Sequence, residues 1–171
     1  MTAVLKFLCK LIPAVTFIFS GFVKAVDPVG GAIKFSDYFV AFHLDWLTSL
    51  AMPLAIVLAA VEFLLGFYLL LGLFMRQVTL IVLGFMTFFT LLTLYIAIFN
   101  PVSNCGCFGD AITLTNWQTF WKNIFVMVFT LGLFYFRKQY NSHLNLKGFV
   151  TAGVLAIYII SVSVYGLTNL P

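Results

Sequence analysis

Residues 50–99 read Leu50-AMPLAIVLAAVEFLLGFYLLLGLFMRQVTLIVLGFMTFFTLLTLYIAI-Phe99. In this stretch the only charged side chains are Glu62 and Arg76. A helix needs about 20 mostly apolar residues to cross a hydrocarbon core of about 30 Å. The stretch therefore holds two membrane-spanning segments, residues 50–75 and 78–99. The connection between them is very short and carries Arg76, which predicts a tight antiparallel hairpin. The whole chain has the same character. Its 171 residues are 63% hydrophobic and 8% charged, with a mean hydropathy of +1.13. A soluble domain is roughly 45–50% apolar and about 25% charged. A water-soluble enzyme is thereby excluded, and so is a disordered chain, which needs low hydrophobicity and high charge.

Three further segments flank the central pair, at residues 4–25, 117–136 and 149–167. In the first, Lys10 and Lys24 bound an apolar run of 13 residues, 11–23, short enough to resemble a signal peptide. Lys10 can snorkel to the surface and lengthen the usable span, so we read a retained helix. The fold class expected is all-α: a polytopic membrane protein with an antiparallel four-helix transmembrane bundle plus a fifth transmembrane helix. We place the four-helix unit in residues 1–137, and a basic loop with the fifth helix in residues 138–171.

The basic residues set the orientation through the positive-inside rule. Lys6 and Lys10 precede the first segment, Arg76 lies in the second-to-third connection, and Arg137, Lys138 and Lys147 follow the fourth segment, with His143 beside them. These regions alternate so as to share one face. That face is the cytoplasm of a bacterial inner membrane, with the N-terminus inside and the C-terminus outside. The net charge of +4 is thus a membrane-edge feature, and nucleic acid is not an expected partner.

The outer connections carry the informative residues. Asp27-Pro28-Val29-Gly30-Gly31 has turn composition. After it, Phe35, Phe39, Phe42 and Trp46 recur on one helical face, which predicts an interfacial amphipathic helix at about 31–46. It is either a plain cap on the bundle or a hydrophobic lid over a membrane-facing site. The second outer connection contains Cys105-Gly106-Cys107-Phe108-Gly109-Asp110. Pro101 helps end the third segment, and Thr115 with Gln118 has the spacing of a capping box for the fourth.

Outside the cytoplasm a disulfide can form and persist. A disulfide across one glycine closes too short a loop to be a useful staple, and strained or exposed disulfides have more oxidising potentials. Redox exchange by Cys105 and Cys107 is the first reading. A static disulfide or idle thiols, and metal binding with His43 as the only histidine on that face, are the others. Asp110 could trade protons with the thiols, or serve as a turn residue. Cys9 sits at the opposite end of the first helix and reads as a small buried hydrophobe.

Glu62 lies about 13 residues from Met75, roughly 20 Å deep at 1.5 Å per residue. Lys24, about 18 residues beyond Lys6 and roughly 27 Å deep by the same rise, leans toward it because helical side chains point to the N-terminus. An intramembrane carboxylate carries a cost of order 2.5–3.5 kcal/mol on insertion scales, so a partner is required. The pair reads either as a structural ion pair, with a protonated Glu62 bonded to backbone as a variant, or as a proton-handling or quinone-contacting group.

Several motifs together resemble a known family. They are Ser20-Gly21-Phe22-Val23-Lys24 running into Asp27-Pro28, then Glu62 with Gly66 and Leu69-Leu70-Leu71-Gly72, then Arg76 and the CGCFGD loop. The chain resembles the DoxX-like membrane proteins over about residues 1–137. The cysteine loop is most similar to their MauE (methylamine utilisation) branch. The resemblance implies a bundle similar to vitamin K epoxide reductase, a link to quinone-dependent redox chemistry, and a role in disulfide formation during maturation of an extracytoplasmic dehydrogenase. One departure is that vitamin K epoxide reductase uses CxxC inside a helix, whereas this chain has CxC in a loop.

Two functions follow as expectations. In the first, Cys105, Cys107 and Asp110 are catalytic residues of a membrane thiol–disulfide oxidoreductase, which exchanges electrons with an extracytoplasmic protein partner. Lys24 and Glu62 then contact a membrane quinone. In the second, the chain is a non-catalytic membrane anchor or assembly subunit of a larger complex. A small transporter is a weaker third class, because broken helices and internal repeats are not seen.

Overall fold

A computed structural model describes residues 2–102, 106, 114–140 and 146–169. Among them the chain is almost entirely helical, with no strand. The helices are α1 (Thr2–Val26), α2 (Pro28–Ala41), α3 (Ala51–Leu71), α4 (Met75–Phe99), α5 (Asn116–Phe136) and α6 (Leu146–Asn169), with short 3-10 turns at Asp45–Leu50 and Arg137–Gln139. Four helical stretches are long and apolar enough to cross a membrane: Ala3–Val26, Asp45–Leu71, Met75–Phe99 and Asn116–Gln139. The apolar stretch of α6 over Gly153–Thr168 is shorter than these four. Backbone groups in hydrocarbon must be satisfied within the segment, which is why long apolar runs fold as helices.

The closest helix pairing is α1 on α3, followed by α4 on α5. Small residues allow the first. Ala14 and Ala25 on α1 and Ala55 and Ala59 on α3 are buried. A Cβ at Gly66 would lie 2.6 Å from the backbone nitrogen of Ile18 and 2.8 Å from the carbonyl oxygen of Ala14. Backbones approach this closely only where side chains are absent, the usual route to helix association in lipid. Gly66→Leu is expected to force α1 and α3 apart and destabilise the bundle by about 3 kcal/mol. Denaturant unfolding in detergent micelles would measure it, with Gly84→Leu as control, since nothing lies within 4 Å of a Cβ at Gly84.

The predicted hairpin of the second and third segments needs correction. Gly72, in the left-handed conformation at φ 75°, ends α3, and the chain turns through Leu73 and Phe74 into α4. Beyond this turn α3 and α4 touch little. The lower part of the bundle is instead filled by Cys9, Phe17, Leu65, Leu69, Met75, Val82, Met86, Val126 and Leu133, contributed by α1, α3, α4 and α5. Cys9 is buried as expected.

The same end of the bundle brings the basic termini together. Tyr140 Oη donates to the Lys6 carbonyl at 2.7 Å, and Lys6 Nζ lies 5.6 Å from the centre of the Phe136 ring. The turn Arg137–Gln139 contacts both α4 and α5.

The outer connection also differs from its sequence reading. Asp27-Pro28-Val29-Gly30-Gly31 is not a free turn; it starts α2. Asp27 is the N-cap and accepts from Gly30 N at 2.8 Å, and Pro28 occupies the first turn. Pro is favoured there because its missing N–H has no partner to lose. The helix ends at Ala41, and His43 follows with φ 58°. The helix predicted at about 31–46 is therefore shifted and shorter. Trp46 falls in the separate 3-10 turn and is 75% exposed, so it does not share the face of the three phenylalanines. α2 packs against α3 through Ala32, Ala51 and Ala55, with Phe35 and Phe39 alongside.

Candidate functional site

Because α3 and α4 part above their turn, the upper half of the bundle is hollow. A cavity of about 260 Å³ lies there, lined from α1, α2, α3, α4 and α5, together with Leu44 and Gly106. α2 forms one wall through Gly31, Lys34, Phe35, Tyr38 and Phe39, continued by Phe42 just past its end. The aromatic stripe read from the sequence is thus a cavity wall in its first three members. Phe17, Phe85, Phe88 and Phe89 face it from α1 and α4.

Lys24 and Glu62 both line this cavity and meet as anticipated. Lys24 Nζ donates to Glu62 Oε2 at 2.7 Å, to Glu62 Oε1 at 2.9 Å and to Ser20 Oγ at 2.8 Å. The side chains are 11% and 7% exposed. Ser20 stands one helical turn before Lys24 on α1, so one helix face presents both. Lys24 lies in the last turn of α1, where the helix dipole favours a cation. Buried charges persist when paired and hydrogen-bonded, and this pair meets both conditions.

Two residues in the site escaped the sequence reading. Lys122 and Asn123 reach the cavity from α5. Asn123 Nδ2 donates to Thr93 Oγ1 at 3.2 Å and to the Phe89 carbonyl at 3.4 Å, tying α5 to α4. An ionisable side chain within an apolar segment marks a candidate functional position, and Lys122 lies inside the fourth segment; that was the available signal. Lys34 was visible only as a charge punctuating an aromatic helix.

The cysteine connection touches this site at one described residue. Gly106 has φ 63°, a conformation that favours glycine. It lies against the Lys34 stem: a Cβ there would sit 2.8 Å from Lys34 Cγ. The two ends of the connection are also fixed. Thr115 and Gln118 form the capping box of α5, as read from the sequence. Asn116 Nδ2 donates to Asn100 Oδ1 and to the Val102 carbonyl, both at 3.0 Å. Cys105, Cys107 and Asp110 themselves lie outside the described residues.

A family model for Methylamine utilisation protein MauE matches residues 2–136. The chain belongs to the MauE family. The match takes in α1 to α5, and hence every described residue that lines the cavity. No curated protein and no solved structure gives a significant match. With four helices fit to span a bilayer, this MauE-family chain is a multi-pass membrane protein related to methylamine utilisation.

Proposed function

We propose that this MauE-family protein is a membrane thiol–disulfide redox protein of the bacterial inner membrane, akin to the DoxX-like proteins. Its N-terminus is cytoplasmic, α6 is a fifth span, and the Cys105–Cys107 connection faces outward. The observation that carries the reading is Gly106 packed on Lys34. Gly106 is bonded to both cysteines, and Lys34 lines the cavity that holds the Lys24–Glu62 pair. That contact supports a relay between the cysteine pair and the cavity.

A thiolate of an extracytoplasmic protein attacks one sulfur of the Cys105–Cys107 disulfide. That S–S bond breaks, a mixed disulfide forms, and the second partner thiolate resolves it. The partner gains a disulfide, and Cys105 and Cys107 gain two electrons and, at neutral pH, two protons. A membrane quinone, which Lys24 and Glu62 would hold in the cavity, would supply the oxidant, taking up the two electrons and two protons as the disulfide re-forms. Asp110 would relay protons at the thiols.

Trapping tests this directly. Run in reverse, the one cysteine thiolate left in a Cys105→Ser or Cys107→Ser protein attacks the disulfide of an oxidised periplasmic partner and releases one partner thiolate; with no second sulfur to carry the exchange on, a mixed disulfide should accumulate and vanish on reduction. An absence of any adduct from both the Cys105→Ser and Cys107→Ser proteins, expressed at normal levels in the membrane, counts against thiol exchange.

A further inference from the structure

We infer that the basic end of the bundle holds an anionic phospholipid, with its phosphate at the corner where the start of α1 meets the end of α5. The inference does not depend on the redox reading. The first ground is charge. Lys6, Lys10, Arg76, Arg137 and Lys138 stand at this end, on the first three turns of α1, the start of α4 and the turn after α5. All five acidic residues of the chain lie elsewhere. Asp27, Asp37 and Asp45 follow the far end of α1, Glu62 is held by Lys24 in the cavity, and Asp110 belongs to the connection between the far ends of α4 and α5. No side-chain carboxylate of this chain is placed to neutralise these cations, so their counter-charge comes from outside it.

The second ground is that the corner is built. Tyr140 Oη holds the Lys6 carbonyl, and Lys6 Nζ stands by the Phe136 ring. The Arg137 guanidinium carbon lies 3.9 Å from the centre of the Phe134 ring. Both rings belong to the last turn of α5, so ring faces fix two cations at one helix end. Arg137 Nη1 is buried with no hydrogen-bond partner among the described residues, while the residue as a whole stays partly exposed. A guanidinium stripped of water on one side attracts an anion more strongly than a solvated one, and its planar fork matches phosphate oxygens. The positive-inside rule asks only for a number of cations. It requires neither the ring contacts nor a buried nitrogen that lacks an acceptor.

The third ground is the surface beside the corner. Phe7, one residue deeper than Lys6, is 59% exposed, and Tyr135, one residue deeper than Phe136, is 78% exposed. Both lie on helices long and apolar enough to cross a membrane, and they offer apolar surface to acyl chains. Fixed cations at the edge of two spanning helices, with apolar surface beneath them, fit a molecule that has an anionic head and apolar tails. A free phosphate would use only the first half of that surface.

The test uses the full chain in phosphatidylcholine nanodiscs, with a trace of phosphatidylglycerol that carries a photoactivatable diazirine in one acyl chain. Cross-links should map to the first turns of α1 and the last turn of α5. Unlabelled phosphatidylglycerol should suppress them at least about tenfold better than phosphatidylethanolamine, because both carry the phosphate but only the first has a net charge for the basic residues to attract. Lys6→Gln with Arg137→Gln should remove that advantage, and Lys6→Arg with Arg137→Lys should keep it; circular dichroism confirms the helical content of both. Lys34→Gln, which removes a cation at the far end, should leave the advantage intact. Where the Gln pair does not fold, the cross-link map and the lipid contrast on the unaltered protein decide alone. Equal suppression by the two lipids, cross-links spread over all the spanning helices, or an unchanged advantage in the folded Gln pair overturns the inference. Suppression by soluble glycerol 3-phosphate as effective as that by phosphatidylglycerol also overturns it, since the ligand would then be a free phosphate.

Discussion

Cys105→Ser and Cys107→Ser are each expected to lower disulfide transfer to a protein dithiol by at least about a hundredfold, the scale of loss when a reacting nucleophile is removed. Each sulfur is half of the exchanging bond, so neither can be spared. Cys9→Ala should leave the rate unchanged, because Cys9 is buried at the opposite end of the bundle beneath Gly132. Reduced RNase A as dithiol substrate, with recovered ribonuclease activity as readout, measures all three proteins. Equal rates for the Cys105→Ser, Cys107→Ser and unaltered proteins would favour an anchor or assembly role, with structural cysteines.

The second large effect concerns the ion pair. Glu62→Ala strands Lys24 in an apolar wall, where the Ser20 hydroxyl still accepts from it. Removing one partner of a buried pair destabilises by about 3–5 kcal/mol. Replacing both, as Lys24→Met with Glu62→Leu, should recover most of that loss, since well-packed apolar groups substitute for a buried pair at little net cost. Unfolding in mixed micelles gives the two single effects and the double, and hence the coupling. A coupling near zero would mean that the pair contributes nothing to the fold. The double variant then separates structure from chemistry. If the pair contacts a quinone head, this stable protein should still lose quinone-dependent reoxidation.

The bundle was readable because its determinants are local. Apolar length fixed the helices α1, α3, α4 and α5 to within a few residues, and the Thr115–Gln118 spacing marked the start of α5. The Lys24–Glu62 contact was also readable, because depth along two helices can be counted and an intramembrane carboxylate demands a partner. The cavity was not readable. It depends on α3 and α4 parting above Gly72, and Gly66 and Gly21 draw α3 onto α1 instead. A short connection bounds the distance between two helix ends and says nothing of where the rest of each helix packs. Pro28 likewise misled: the residues that make a turn also make a helix start, and Asp27 capping Gly30 decided between them.

Electron exchange between the cysteine pair and the cavity is open to direct measurement. The most direct measurement places reduced protein in nanodiscs, adds a membrane quinone under anaerobic conditions, and follows two signals together. Alkylation with a mass-tagged maleimide reports the thiols of Cys105 and Cys107, and ultraviolet absorbance reports the quinone. Two reactive thiols should be lost for each quinone reduced, with no reduction in the Cys105→Ser protein. Quinone that stays oxidised while both thiols remain open to the maleimide would contradict that exchange.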